Sequence, residues 1–240
     1  MRRTSLTLLL GAACAPAQPA TPPTSDAASQ VHASHHGSHH GAHDHDGYHK
    51  DFSDAAAFSA HFDDPARDEW QRPSEVMEHL RIAPGSVVVD LGAGTGYFIA
   101  ALSQRVGPSG KVLALDVEPK MIEHLARRAH DEHLGNVEPR LVQPDDPALP
   151  AHGVSRILIV NTWHHIDSRA DYARHLAAAL VPGGEVWVVD FTPESDLGPP
   201  PEHRLSAARV VDELEAGGLD AEIVEPESLP KQYLVRAVAR

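Results

Sequence analysis

Short apolar runs alternate with amphipathic segments from Ser86 to the end of the chain. Runs of valine, leucine and isoleucine bounded by turn residues predict buried strands, whereas apolar positions three or four apart predict helices. The predicted strands are Val87–Leu91, Lys111–Asp116, Val137–Val142, Arg156–Val160, Glu185–Phe191, Ala221–Glu225 and Gln232–Val238. The predicted helices lie near Tyr97–Val106, Pro119–His133, Arg169–Leu180 and Ser206–Ala216. This alternation is typical of an α/β fold, in which helices cover both faces of a parallel sheet.

The first 85 residues differ in composition and predict three further segments. Residues 1–14 resemble a signal sequence, which is considered below. Residues 15–50 form a Pro- and Ala-rich tether and a histidine-rich tract, and they hold too few large apolar residues to offset the entropy of ordering them. Residues 51–85 look helical and amphipathic, with Pro65 and Pro73 at first-turn positions and Ser74 as a candidate cap. We expect this last segment to be a lid over the domain formed by residues 86–240.

The stretch VVVDLGAGTGYF, at residues 87–98, holds the most informative motif. A buried strand ends near Asp90, and a helix is predicted directly after the glycines that follow. These glycines occupy alternate positions: Gly92, Gly94 and Gly96. A strand, a glycine turn and a helix N-terminus build a polar pocket at the carboxyl edge of a parallel sheet. The next strand ends in Asp116, about twenty residues further on, where an acid suits the hydroxyls of a ribose. The motif therefore predicts a cofactor that contains a nucleoside.

The glycine spacing indicates which nucleoside cofactor is bound. A dinucleotide fingerprint requires a glycine directly after Gly96, but this chain has Tyr97 there, and an aromatic side chain crowds the site of a pyrophosphate. The observed pattern, D-x-G-x-G-x-G, instead resembles motif I of the class I S-adenosylmethionine-dependent methyltransferases. The resemblance covers roughly residues 86–240. It implies a Rossmann-like, seven-stranded and mostly parallel sheet of order 3-2-1-4-5-7-6, with S-adenosyl-L-methionine as the cofactor.

The same resemblance implies a set of cofactor-binding residues. Asp90 and the three glycines lie under the methionine end, Asp116 holds the ribose, and Val117 contacts the adenine. The segment QPDDPALP resembles the G-D-x-x-x-L-P segment of the family, with Pro144 in place of its glycine. Asp145 and Asp146 would accordingly lie beside the adenine amino group. Two solvated acids in a loop are the alternative interpretation. The third strand, an edge strand in the implied order, contains Pro139, and proline is tolerated at a sheet edge.

The fourth predicted strand ends in the segment NTWHH, which contains the candidate catalytic residues. Asn161 lies at the carboxyl end of that strand, near the topological switch point where ligands bind, so we expect it to contact the cofactor. His165 and His164 follow, and a histidine can accept a proton from a hydroxyl or thiol acceptor. We place His165 slightly ahead of His164 as the base. The alternative is a histidine that anchors the following helix and never contacts the acceptor. Trp163 is expected to form a wall of the pocket.

Charge and hydropathy exclude several classes of partner. The formal net charge is −14, whereas phosphate backbones require clustered Lys and Arg, so nucleic acid is not expected as the acceptor. No apolar run in the sequence approaches the length of a membrane span. The acceptor is therefore expected to be a small molecule. No catalytic metal is predicted, although the eight histidines of residues 32–49 can bind divalent metal loosely.

The N-terminus resembles a bacterial lipoprotein signal. Arg2 and Arg3 precede the apolar residues 6–10, and small residues then lead to Cys14, the single cysteine of the chain. In such signals the cysteine becomes lipidated, so a lipid anchor at Cys14 and an exported location are expected. The cofactor is cytosolic and favours the cytoplasm instead, so localisation stays open between the two.

Two other functions compete with small-molecule methyl transfer. One is a surface lipoprotein that binds the cofactor without catalysis, which the export signal favours. The other is a metal-binding periplasmic protein in which the histidine-rich tract is the working part.

Overall fold

The computed structural model describes residue 58, residues 62–224 and residues 229–240. The predicted signal, tether, histidine-rich tract and Cys14 anchor lie outside these residues. Seven strands form one sheet: β1 Val87–Leu91, β2 Lys111–Asp116, β3 Val137–Leu141, β4 Val154–Val160, β5 Leu180–Phe191, β6 Leu219–Val224 and β7 Gln232–Ala239. Their order is β3-β2-β1-β4-β5-β7-β6, which confirms the order implied by the family resemblance.

Strand β7 is antiparallel to its neighbours β5 and β6, whereas the other pairs of adjacent strands are parallel. Strand β3 forms one edge of the sheet and carries Pro139 opposite Ala114 of β2. A proline is tolerated there because one side of an edge strand makes no ladder hydrogen bonds. The carboxyl ends of β1, β2, β4 and β5 share one edge, and the candidate residues lie along it.

Six α-helices are found in the described residues: α1 Asp68–Gln71, α2 Pro73–His79, α3 Ile99–Val106, α4 Pro119–Asp131, α5 Arg169–Ala179 and α6 Ala207–Ala216. Single 3₁₀ turns add Pro65–Arg67, Trp163–His165 and Pro201–His203. Ser206 caps α6 by accepting a hydrogen bond from the Arg209 N–H at 3.2 Å. Ser74 is not a cap, contrary to expectation. Helix α2 starts at Pro73 after Arg72, whose left-handed backbone (φ 48°) makes the turn without a side-chain cap.

The core lies on both faces of the sheet because alternate strand residues point to opposite sides. Val88, Leu158 and Val189 pack with α2 and α3 on one face. On the other face, Val89 and Ile159 pack with α5 and α6. Within the described residues, every helix is too short or too polar to cross a membrane.

Candidate functional site

The three motif glycines differ in what surrounds them, although all have positive φ angles of 72°, 54° and 90° along the chain. A Cβ on Gly92 would lie 2.3 Å from Thr162 Oγ1, and one on Gly96 would lie 2.8 Å from Ile99 Cδ1. These two glycines therefore allow close packing within the protein. Beyond Gly94 the nearest atom to such a Cβ is Phe62 Cδ2, at 3.9 Å. Gly94 is thus the glycine of this motif that a ligand can approach.

The Asp116 carboxylate borders the open side of this loop. It accepts hydrogen bonds from the Gly94 N–H at 2.8 Å and from the Glu118 N–H at 2.9 Å. Burial raises its pKa, and these backbone hydrogen bonds oppose that rise. The next side chain, Val117, is 51% exposed, which is unusual for a valine at the end of a central strand. Both residues lie at the carboxyl edge of β2, and their predicted contacts with a ribose and an adenine stay predictions.

Asp90 is a buried acid beneath the same loop. Its side chain is 3% exposed, and among the described residues no group donates a hydrogen bond to its Oδ2 atom. Burial raises the pKa of Asp90 to about 7. The charge of Arg67 lowers this pKa, and the charge of Asp116 raises it further. A buried acceptor without a partner is costly, so it points to a ligand or to stored strain.

A segment before the sheet, residues 62–71, lies against the glycine loop, and we call it the strap. Asp63 connects it to the loop, because one carboxylate oxygen accepts hydrogen bonds from Thr95 Oγ1 at 3.1 Å and from Arg128 Nη1 at 2.9 Å. Arg128 Nη1 also donates to the Thr95 carbonyl at 3.0 Å. Asp68 adds a second connection by accepting a short hydrogen bond from the Tyr97 hydroxyl. Helix α4, the loop and the strap are thereby joined in one network.

Arg67 projects from the strap toward the loop. Its guanidinium lies 3.9 Å from the centre of the Tyr97 ring, and it donates to the Phe62 carbonyl at 3.0 Å and to Gln71 Oε1 at 3.1 Å. The guanidinium thus connects the strap to Tyr97, directly after the glycine loop.

Three amide side chains close a ring of hydrogen bonds where the strap meets the sheet. Gln71 Nε2 donates to Gln232 Oε1 at 2.8 Å, Gln232 Nε2 to Asn161 Oδ1 at 2.5 Å, and Asn161 Nδ2 to Gln71 Oε1 at 3.3 Å. Asn161 has a left-handed backbone (φ 53°), which asparagine tolerates better than most residues. The ring fixes the orientation of Asn161 at the carboxyl end of β4.

The two candidate histidines lie in the 3₁₀ turn after β4 but have different surroundings. His164 is 4% exposed, and its Nδ1 lies 2.8 Å from both carboxylate oxygens of Asp190, at the end of β5. A carboxylate at Nδ1 selects the tautomer with its proton on that nitrogen. His165 is only half-buried, and its ring centre lies 4.2 Å from that of His164. Of the two, His165 is the more accessible.

Trp163 is not a pocket wall, contrary to expectation, because it is fully buried in the core. Its indole Nε1 donates to Glu213 Oε2 of α6 at 2.9 Å, and the same oxygen accepts from Arg169 Nε at 2.9 Å. Arg169 also donates to the Ile166 carbonyl at 2.8 Å. The turn that carries the histidines is therefore anchored on both sides by buried polar contacts.

Asp145 and Asp146 lie in the exposed loop after β3. The strand end is held beside Asp116, since the Val142 N–H donates to the Asp116 carbonyl at 3.0 Å. Asp146 accepts from the Ala148 N–H at 2.8 Å and lies 3.5 Å from His175 Nδ1. The loop thus starts at the expected edge. The contacts of Asp146 here are those of a local turn, and its predicted adenine contact stays a prediction.

Several site residues were missed in the sequence because their partners are distant along the chain. Gln71 and Gln232 are 161 positions apart, and no local pattern relates them. Glu213 lies on helix α6, whose sequence has an ordinary amphipathic pattern in which a glutamate is expected to be exposed. Asp190, by contrast, could be found in the sequence, because it is an acid at the end of a predicted strand that faces the site, as Asp90 and Asp116 are.

Two clefts lie outside the strap rather than over the glycine loop. One, of about 480 Å³, lies between the strap and the outer surface of α3, and another, of about 330 Å³, is lined by Asp63 and α4. The strap lies against the loop, since Asp63 is hydrogen-bonded to Thr95 and Phe62 Cδ2 lies 3.9 Å from a Cβ placed on Gly94. In the described part of the chain, no group of three His, Cys, Asp or Glu side chains could hold a metal ion.

Part of the chain is similar to known methyltransferases. Residues 88–184 match the family described as "Methyltransferase domain". A ubiquinone/menaquinone biosynthesis C-methyltransferase UbiE from Hydrogenovibrio crunogenus is 27% identical over 124 residues, which are 51% of this chain and 48% of that protein. Nocamycin O-methyltransferase from Saccharothrix syringae is 28% identical over 131 residues, covering 54% and 47%. The chain thus spans about half the length of the curated relatives it matches.

A solved structure extends the similarity to most of the described fold. A SAM dependent methyltransferase from Aquifex aeolicus superposes with a TM-score of 0.73 at 28% identity, covering 80% of this chain and 100% of that one. Geranyl diphosphate C-methyltransferase from Streptomyces coelicolor, solved with S-adenosyl-L-homocysteine, shares the fold at 15% identity and a TM-score of 0.61.

Proposed function

The chain carries a methyltransferase domain over residues 88–184, and from this premise we propose that it transfers the methyl group of S-adenosyl-L-methionine to a small molecule. One observation carries the proposal beyond the match itself. The loop glycine least crowded by its described neighbours, Gly94, lies beside the acid that ends β2. A ligand that places a ribose at Asp116 therefore also meets the glycine loop.

The residues present fit this cofactor. Asp116 can accept hydrogen bonds from ribose hydroxyls, Val117 offers an exposed apolar contact for an adenine, and Asp145 or Asp146 can accept from its amino group. Asp90 Oδ2, which has no donor within the described part of the chain, suits a donor at the methionine end. When bound, the cofactor supplies the electrophilic methyl group, so the protein needs only to orient the acceptor and, for some acceptors, to accept a proton.

We assign the proton acceptor to the histidine turn. His165 is the more accessible ring, and His164 supports it by ring contact while Asp190 holds His164 at Nδ1. Support for a small, uncharged or cationic acceptor comes from the net charge of −14. The printed names of the relatives suggest quinol-type carbon acceptors and hydroxyl acceptors as the first compounds to test.

Cofactor binding tests the proposal directly. In isothermal titration calorimetry we expect S-adenosyl-L-methionine to bind, and Asp116→Ala to weaken it by about tenfold to a hundredfold, because a hydrogen bond to a charged group is lost. Glu123→Ala is the matched control, since it removes an exposed carboxylate of α4 that pairs with Lys120. Absence of binding by the unaltered protein, or equal binding by Asp116→Ala, would contradict the proposal.

Two features of the N-terminus are proposed on sequence alone. We propose export through the signal ending at Cys14, with lipidation of that cysteine, and loose divalent-metal binding by residues 32–49. Cell fractionation with and without Cys14→Ser tests the first. Zinc uptake after deletion of residues 32–49, with S-adenosyl-L-methionine affinity as the control, tests the second.

A further inference from the structure

The amide ring of Gln71, Gln232 and Asn161 joins three parts of the fold that are distant along the chain. Gln71 is the last residue of the strap, Gln232 is the first residue of β7, and Asn161 follows β4. The two glutamines are 0% and 2% exposed, and each amide of the ring donates to one neighbour and accepts from the other. A buried polar network of this kind favours one arrangement of its members, because each unmade hydrogen bond is costly.

Two of the three hydrogen bonds in the ring depend on the strap. When the strap moves away from the sheet, the bond from Gln71 to Gln232 and the bond from Asn161 to Gln71 are lost. The bond from Gln232 to Asn161 does not involve the strap and can remain. The position of the strap therefore decides whether the ring holds the Asn161 side chain through two hydrogen bonds or through one.

Asn161 lies at the start of the segment that carries the candidate histidines. Its left-handed backbone (φ 53°) turns the chain out of β4, and Thr162 follows directly. Thr162 packs on the glycine loop, since a Cβ on Gly92 would lie 2.3 Å from its Oγ1. The turn Trp163–His165 begins at the next residue. Buried polar contacts hold the middle of this turn, so its start is the place where the strap can act on it.

We propose that Gln71 and Gln232 are positioning residues for the histidine turn, which they hold through Asn161 while the strap lies against the glycine loop. The inference rests on the proposed function. A cofactor that keeps the strap against the loop thereby also fixes the turn to which the proton acceptor is assigned. A second path to the turn runs from the glycine loop through Thr162 and does not use the ring. The two paths differ in the substitutions that interrupt them.

Hydrogen exchange measured by mass spectrometry tests the proposal in the full chain, with and without saturating S-adenosyl-L-homocysteine. In the unaltered protein we expect this ligand to slow amide exchange about fivefold or more, both in the strap and in residues 161–166. Gln232→Met should keep the slowing in the strap, because Asp63 still joins the strap to Arg128. It should lose most of the slowing in residues 161–166, because methionine has a similar length but lacks the amide group.

Gln71→Met interrupts the ring from the side of the strap. It should reduce the slowing in residues 161–166 as much as Gln232→Met does, and it carries the test if Gln232→Met does not fold. The double variant should show no further reduction, because both side chains act through one network. Gln104→Met is the matched control, since Gln104 is exposed on α3 and its loss leaves the ring intact. Circular dichroism and thermal melting establish that each variant is folded.

The outcomes separate the interpretations. Loss of slowing confined to residues 161–166 in Gln232→Met supports the assignment. Loss in both segments would mean that the ring only fastens the strap, and unchanged slowing in residues 161–166 would mean that the glycine loop acts on the turn through Thr162. Either result overturns the inference and leaves the proposed function intact, as does a bound ligand that slows no exchange in residues 161–166 of the unaltered protein. Absence of ligand binding in calorimetry would overturn the proposed function and this inference together.

Discussion

Asp90 is a single residue whose buried carboxylate lowers the stability of the fold while offering an acceptor to a ligand. Its pKa is raised by burial from an ordinary value of 3.8 to about 7 in the folded protein. The folded state therefore binds more protons than the unfolded state between these two values. Unfolding free energy then falls as the pH rises from about 4 to about 7, because stability decreases wherever the unfolded state binds fewer protons. A buried acid without a donor is kept at a cost that a ligand can offset.

We expect Asp90→Asn to raise the unfolding free energy more at pH 8 than at pH 5, because asparagine carries no charge to bury. The gain in unfolding free energy at pH 8 should exceed the gain at pH 5 by about 2–3 kcal/mol. Urea denaturation of both proteins at the two pH values measures this difference. Arg67 and Asp116, the charges that face Asp90, are present in both proteins, so their effects largely cancel. A constant difference between pH 5 and pH 8 would mean that Asp90 has an ordinary pKa.

The glycines illustrate what single residues reveal in the sequence and what they conceal. Their spacing predicted a nucleoside cofactor, and the domain match and the sheet order support that prediction. The sequence does not distinguish their roles, because a glycine that faces a ligand and one that packs against Thr162 look alike along the chain. The distinction depends on neighbours from other elements, which are close only in the folded protein.

At the scale of elements, the limits of β1 and β2 were predicted to the residue, because turn residues and a charged end mark them on both sides. Strand β5 was predicted to begin at Glu185 but begins at Leu180. Pro182 and Gly183 look like a turn, but they lie within the strand, where its pairing with β4 shifts register between Val154 and Arg156. A local irregularity that the sheet accommodates was therefore misinterpreted as a strand end.

Helix α6 and the histidine turn are coupled by Glu213, which gives a prediction at this scale. Arg169 is almost fully buried, and Glu213 accepts hydrogen bonds from it and from Trp163. Glu213→Gln should leave a buried cation without its counter-charge and lower the unfolding free energy by about 3 kcal/mol. Urea denaturation measures the change. Glu222→Gln is the control, because its pair with Arg236 is exposed and should contribute less than about 1 kcal/mol. Similar losses in both variants would contradict a special role for the anchor.

Over the described molecule, alternating strands and helices predicted a parallel sheet covered by helices, and the family resemblance implied its strand order. Neither predicted the contacts between the strap and the rest of the fold. They are single contacts between distant residues, such as Asp63 with Arg128 and Gln71 with Gln232. These contacts also bear on cofactor binding. They hold the strap against the glycine loop, so we expect the strap to move when the cofactor enters and leaves the site.

Arg128 is the residue whose removal should expose this motion. It joins α4 to the strap at Asp63 and to the loop at the Thr95 carbonyl. Without Arg128, the strap should detach from the loop more readily. We expect Arg128→Gln to release bound S-adenosyl-L-methionine about fivefold faster, because a partly exposed ion pair contributes about 1 kcal/mol. Stopped-flow tryptophan fluorescence can follow release, because Trp70 lies in the strap and contacts Phe191.

Arg127→Gln provides the matched control for that measurement. Arg127 is the preceding residue of α4 and is exposed, so its removal changes the net charge equally without loosening the strap. If the strap governs release, the cofactor should dissociate faster from Arg128→Gln than from Arg127→Gln. Cofactor addition should also slow amide hydrogen exchange in residues 62–71, and this slowing should be smaller in Arg128→Gln than in Arg127→Gln. Equal release rates and equal protection would mean that Arg128 merely supports α4 and that the cofactor reaches the loop by another route. The rate comparison thus tests whether a contact between residues 65 positions apart controls access to the site.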